Sequence, residues 1–156
     1  MWQDSTLKNF ISLKTILNVC YNKGEKMLVK EVMTPKEKLI SVSPLATVRE
    51  VLKLMRTHSV RSIIVEKTQE DSAYGLVTFK NILQSIVAED GDIDLLNVYD
   101  IATIPALSVS SQLNVKYAAK MMVTSSIKRI LVIDNNELHG ILTMTDIIEI
   151  LMDSVE

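Results

Sequence analysis

The stretch LISVSPLATVREVLKLMRTHSVRSIIV, residues 39–65, returns as ALSVSSQLNVKYAAKMMVTSSIKRILV, residues 106–132. At a constant offset of 67, ten of these 27 positions are identical, among them Ser41/Ser108, Val48/Val115, Met55/Met122, Ser59/Ser126 and Ile63/Ile130. Most others exchange like for like, as in Arg49/Lys116 and Val60/Ile127. The offset then slips to 65, and Gly75-Leu-Val-Thr78-Phe-Lys-Asn81 matches Gly140-Ile-Leu-Thr143-Met-Thr-Asp146. Self-similarity at a fixed spacing defines the fold unit. Two copies are too few for a solenoid, so they are expected to pack face to face.

Each copy reads as β-α-β-β-α. A short strand (Leu39–Val42, Ala106–Val109) precedes a helix that starts near Thr47 and near Asn114. Thr47 with Glu50 spells a capping box, and Asn114 is a favoured N-cap residue. Val48, Val51, Leu52 and Met55 form the predicted buried stripe, with Val115, Ala118, Ala119 and Met122 as its twin. A strand of branched residues follows, Ser62–Glu66 and Arg129–Ile133. After a turn (Lys67–Ser72; Asp134-Asn135-Asn136) a further strand runs over Tyr74–Thr78 and Gly140–Thr143. A closing helix takes its apolar face from Ile82, Leu83, Ile86 and Val87 in one copy, and from Ile147, Ile148, Leu151 and Met152 in the other. The expected division is an N-terminal segment 1–26, a first repeat 27–88, an acidic linker 89–97 and a second repeat 98–156. Within the first segment, residues 4–21 carry an amphipathic helical pattern (Leu7, Phe10, Ile11, Leu17, Tyr21), with Gly24 as its stop and Met27 as an alternative start.

Composition narrows the function. Of 156 residues, 47% are hydrophobic and only 4% aromatic, which describes an aliphatic core rather than a disordered chain. A formal net charge of −2 gives no electrostatic footprint for nucleic acid. No stretch is long and apolar enough to span a bilayer, and MWQDSTLKNF does not read as a secretory leader. One cysteine, Cys20, and two separated histidines, His58 and His139, do not make a zinc site. These features suit a cytoplasmic protein. The linker run Asp90-x-Asp92-x-Asp94 matches the first three positions of a calcium loop. Leu95 then stands where that loop needs glycine and Ile101 where it needs glutamate, so calcium is not expected. No Gly-rich phosphate loop, nucleophile elbow or nucleophile–base pair is present, and an enzyme is not expected.

The chemistry-bearing pattern is Gly-h-h-Thr-x-x-Asp at 140–146, with h apolar. A strand ends and a helix begins at Thr143, and a helix N-terminus favours an anion. The Thr143 hydroxyl can bond a phosphate or sugar oxygen, and the Asp146 carboxylate can accept two hydrogen bonds from a ribose diol. T-x-x-D also spells a capping box, a purely structural reading. The pattern recurs at Gly75…Thr78…Asn81, and basic residues stand one strand earlier at Arg61 and at Lys128–Arg129, suited to phosphates.

With Val29-Lys-Glu-Val-Met-Thr-Pro35 ahead of the first copy, this order of elements resembles a tandem pair of CBS domains, named for cystathionine beta-synthase. The resemblance covers about residues 28–153. It implies an α+β fold in which two β-α-β-β-α repeats pack about a pseudo-two-fold axis and leave two clefts, with the N-terminal helix as an addition. It implies an adenosine ligand (AMP, ADP, ATP or S-adenosylmethionine) as a regulatory signal, with no required cofactor. By similarity, Asp146 would hold the ribose, Thr143 would sit by the sugar-phosphate and Lys128 and Arg129 would lie near the phosphates. Leu107 and Ile130 would wall the adenine. The first-repeat counterparts are Thr78, Asn81, Arg61, Ile40 and Ile63. Asn81 replaces the usual Asp, and an amide offers one uncharged acceptor oxygen, so this cleft is the weaker one. Both copies lack the proline common in the middle strand, where Ile64 and Leu131 stand. The expectation is a non-catalytic sensor module acting as a homodimer on an effector protein; a ligand-free dimerisation scaffold is the alternative.

Overall fold

The computed structural model describes residues 27–153, and the helix expected over 4–21 lies outside them. In chain order the elements are α1 (Val29–Val32), β1 (Thr34–Pro35), β2 (Ser41–Val42), α2 (Val48–His58), β3 (Ser62–Val65), β4 (Gly75–Thr78), α3 (Phe79–Ile82, continued by a π-helical turn over Leu83–Ala88), α4 (Val98–Ile101), β5 (Ser108–Val109), α5 (Val115–Thr124), β6 (Arg129–Asp134), β7 (Glu137–Thr143) and α6 (Met144–Met152). The chain is α+β, and the order β-α-β-β-α appears twice.

The chain divides into two compact units, and their boundaries do not follow the repeat boundaries. One unit is residues 37–107; the other joins the described residues 27–36 to 108–153. In the inner unit, β2 pairs parallel with β3, and β3 pairs antiparallel with β4. The outer unit repeats this as β5-β6-β7 and adds β1 antiparallel to β7, with Thr34 opposite Ile141 and Pro35 opposite Gly140. The inner unit has the matching feature as a single bridge, Leu76 opposite Thr103. Each repeat thus sends its lead-in segment to the sheet of the other.

The two lead-ins are themselves a repeat at offset 69: Val29/Val98, Val32/Ile101 and Thr34/Thr103. Each opens with one short helical turn. The Glu31 carboxylate accepts from the Leu28 amide at 2.6 Å, and Asp100 accepts from that of Asn97 at 2.9 Å. Val29 is fully buried in the core of the outer unit, while Val98 and Ile101 are buried in that of the inner one. Full burial of one such aliphatic side chain contributes about 1.5–3 kcal/mol.

The long helices form where their caps are. Thr47 Oγ1 accepts from the Glu50 amide at 3.2 Å while the Glu50 carboxylate accepts from the Thr47 amide at 2.6 Å. Asn114 caps α5 by accepting from the Lys116 amide at 3.0 Å. Ser59 closes α2 in the left-handed region, φ 53°. The buried stripe of α2 is Val48, Val51 and Met55; Leu52 faces solvent, and the half-buried Leu54 packs on the core instead. Its twin on α5 is buried as expected at all four positions. The closing helices depart more. Ile82 and Ile147 are buried, but Leu83, Val87, Ile148 and Met152 are exposed.

The acidic stretch 89–97 is docked rather than a solvated linker. The Arg49 and Val48 amides donate to the carbonyls of Ile93 and Leu96, and the Val98 amide donates to that of Ala46. Arg49 grips Asp94 through both Nε and Nη2, the latter at 2.7 Å. Ile93 and Leu96 pack against the core.

Candidate ligand site

In the outer unit, β7 ends on Thr143, which is the N-cap of α6. Thr143 Oγ1 accepts from the Asp146 amide at 3.3 Å. Asp146 Oδ2 accepts both from the Thr143 amide, at 2.6 Å, and from the Thr143 hydroxyl, at 2.8 Å. The capping box therefore forms, and it engages one carboxylate oxygen only. Among the described residues, no group bonds the other, Oδ1. The cap leaves that second oxygen uncommitted. Asp146 is half-buried, so Oδ1 keeps access to solvent.

The basic pair lies beside this N-terminus. Arg129 stands directly opposite Thr143 in the β6–β7 ladder, and the Lys128 carbonyl accepts from the Met144 amide at 3.0 Å. Lys128 is exposed and Arg129 half-buried. Two cationic residues thus adjoin, through the backbone, the start of a nine-residue helix. Leu107, at the end of the inner unit's segment, is 44% exposed. Ile130 is different: it is fully buried in the core with Val115, Met122 and Leu142. The pleat turns it toward the helix, so it serves packing rather than an open wall.

The inner unit repeats the backbone and changes the chemistry. Thr78 and Asn81 form the same box, with Asn81 Oδ1 accepting from the Thr78 amide and from the Thr78 hydroxyl, each at 2.8 Å. The Asn81 amide nitrogen then donates to Thr103 Oγ1 at 3.3 Å. Ser62, not an arginine, stands opposite Thr78. Arg61 is exposed, Ile40 is half-buried, and Ile63 is fully buried in the core, like Ile130. Thr103 went unremarked in the sequence. The signal for it was the alignment of Val-Met-Thr34 with Ile-Ala-Thr103 at offset 69.

Among the described residues no group of His, Cys, Asp and Glu is placed to hold a metal ion, and no helix is long and apolar enough to cross a membrane.

The glycine that opens each Gly-h-h-Thr pattern lies where a lead-in crosses the sheet. A Cβ at Gly140 would meet the Thr34 carbonyl oxygen and Met33 Sδ; one at Gly75 would meet Ile104 and, at 3.1 Å, the Thr103 oxygen. Comparison with known families matches residues 29–88 and 98–153 to the CBS domain. The chain belongs to the CBS domain family. CBS-domain pairs are typically regulatory modules. An uncharacterized protein of Methanopyrus kandleri is 30% identical over 113 residues, 72% of this chain and 57% of that relative, so the chain spans little more than half of its length. The hexameric CBS-CP12 protein from bloom-forming cyanobacteria is 32% identical with a TM-score of 0.72, over 78% of this chain and 69% of that one. Two further structures share the CBS fold at lower identity. CBSX2 in complex with AMP is 21% identical, with a TM-score of 0.71, over 83% of this chain and 99% of that one. The CBS domain of a bacterial CNNM/CorC family Mg2+ transporter in complex with ATP is 22% identical, with a TM-score of 0.72, over 90% of this chain and 94% of that one.

Proposed function

We propose that this CBS pair is a non-catalytic sensor that binds an adenosine nucleotide at Thr143–Asp146 and passes the signal on by a change of packing. The observation that carries the reading is Asp146 Oδ1, a carboxylate oxygen left over by the helix cap at the same N-terminus that Lys128 and Arg129 adjoin. A charged acceptor suits a ribose diol, and two cations beside a helix N-terminus suit a phosphate. The nucleotides bound by CBSX2 and by the transporter's CBS domain support the ligand class. For a nucleotide to act as a signal, it must favour one arrangement of the protein over another. A cytoplasmic setting and an effector protein complete the reading.

The test is a thermal-shift series with AMP, ADP, ATP, S-adenosylmethionine and GTP. At one hundred times the dissociation constant, a ligand stabilises the fold by about 2.7 kcal/mol. A rise for an adenosine ligand, absent in Asp146→Ala, is the expected result. No rise for any ligand in nucleotide-free protein would refute the reading.

The alternative, a dimerisation scaffold, draws on Phe79, Leu83 and Val87. They recur every four residues and are 48%, 59% and 67% exposed, an apolar stripe that a second copy could cover. Sedimentation of wild type against Leu83→Glu tests for the homodimer. A dimer lost in the variant supports it, and a wild-type monomer ends it.

A further inference from the structure

We infer that the Asn81–Thr103 pair closes the first-repeat motif, leaving one nucleotide position per chain, at Asp146. The inference rests on the proposed function and adds its stoichiometry and the residue that sets it. The orientation of the Asn81 amide is fixed by its neighbours, because the Thr78 backbone N–H needs an acceptor and only Oδ1 can supply one. That oxygen also takes the Thr78 hydroxyl, so both of its lone pairs are used. The nitrogen is thereby turned outward and donates to Thr103 Oγ1 at 3.3 Å.

The contrast with Asp146 comes down to one atom. Where the second repeat offers Oδ1, an acceptor with no protein partner among the described residues, the first offers an NH2 already bonded to the lead-in. A ribose hydroxyl donating into the first site meets a donor. Thr103 Oγ1 accepts that bond, whereas its register equivalent Thr34, opposite Ile141, makes no hydrogen bond with Asp146. Ser62 in place of Arg129 removes a cation from the same spot. The first motif is therefore a clasp, fastening the lead-in at 103 to the start of the closing helix. The second is open at the corresponding point.

Isothermal titration of the full chain with AMP and with ATP decides this. The expected stoichiometry is one per chain, abolished in Asp146→Asn and retained in Asn81→Ala. Asn81→Asp, which restores an acceptor oxygen, is expected to raise it toward two. Two sites in wild type, a single site that survives Asp146→Asn, or a count that stays at one in Asn81→Asp would overturn the inference. Absence of all binding in wild type would overturn the nucleotide reading and with it the stoichiometry. The clasp is then judged without ligand, by a denaturation cycle of Asn81→Ala, Thr103→Val and the double variant. Midpoint shifts that fall short of additive support the clasp, and additive shifts refute it.

Discussion

A side chain at Gly140 would collide with the backbone oxygen of Thr34. That oxygen belongs to the β1–β7 ladder, where Thr34 faces Ile141, so it cannot retreat without loosening the lead-in. At Gly75 the first atom met is Cγ1 of Ile104, a side-chain atom, and the nearest backbone oxygen, that of Thr103, lies farther off at 3.1 Å. Gly140→Ala is therefore expected to cost about 1–3 kcal/mol, as overpacking does, and Gly75→Ala less. Urea denaturation of both variants checks the order, and equal losses would contradict it.

Arg49 and Asp94 fasten the acidic stretch to α2 from the outside, with side chains 48% and 56% exposed. The hydrogen bond from Arg49 holds the Asp94 carboxyl below the usual carboxylate range. An exposed pair is screened by salt, since the Debye length falls to about 3 Å at 1 M. Asp94→Asn is expected to lower the denaturation midpoint at low ionic strength and to have little effect at high salt. A shift independent of salt would mean the backbone bonds of 93–98, not the ion pair, were disturbed.

Asp134 joins the end of β6 to the turn after β5. Hydrogen bonds from Ser111 and Ser110, aided by the charge of His139, hold its carboxyl below the usual range. A carboxyl depressed in the folded state stabilises the fold above its unfolded pKa, about 3.9, and loses that contribution as pH falls through the folded value. Wild type is thus expected to lose stability below about pH 4 more steeply than Asp134→Asn. Parallel acid-denaturation curves would show that Asp134 contributes nothing to this limb.

Ser59 and Ser126, identical in the two copies, both hold left-handed backbones, φ 53° and 54°. The conformation costs an L-residue about 1–2 kcal/mol, and glycine adopts it freely at the expense of a more flexible unfolded chain. Ser59→Gly is expected to raise stability by about 0.5 kcal/mol, the difference between these effects. Thermal unfolding checks it. A loss would show that the serine makes up for its backbone elsewhere.

The repeat was legible as self-similarity, and the caps and the order of elements along the chain because each depends on residues close in sequence. Thr47 with Glu50 and Thr143 with Asp146 lie three apart, and their boxes form as spelled. The core stripe of α5 followed from helical spacing alone. Burial of the closing helices was not legible. Spacing shows that Leu83 and Val87 share an apolar face, but not whether anything covers it. At the site, the residue types were readable and their bonding was not. Asn81 looked like a weakened Asp146, and its tie to Thr103 depends on which sheet the lead-in joins. Ile63 and Ile130 looked like wall residues, but strand alternation turned them into the cores.

The exchange of lead-ins has a consequence for synthesis. The inner unit has all its residues once Leu107 has been made, although its sequence starts later than that of the outer unit. Thr34, made early, must wait for Ile141 before it has a strand to join. On a ribosome, the middle of this chain can finish folding while its beginning is still unpaired. A scissor cut inside 89–97 would not release two self-sufficient halves. Each fragment would carry away the edge that its partner needs, and the two would recover native structure only by finding each other again.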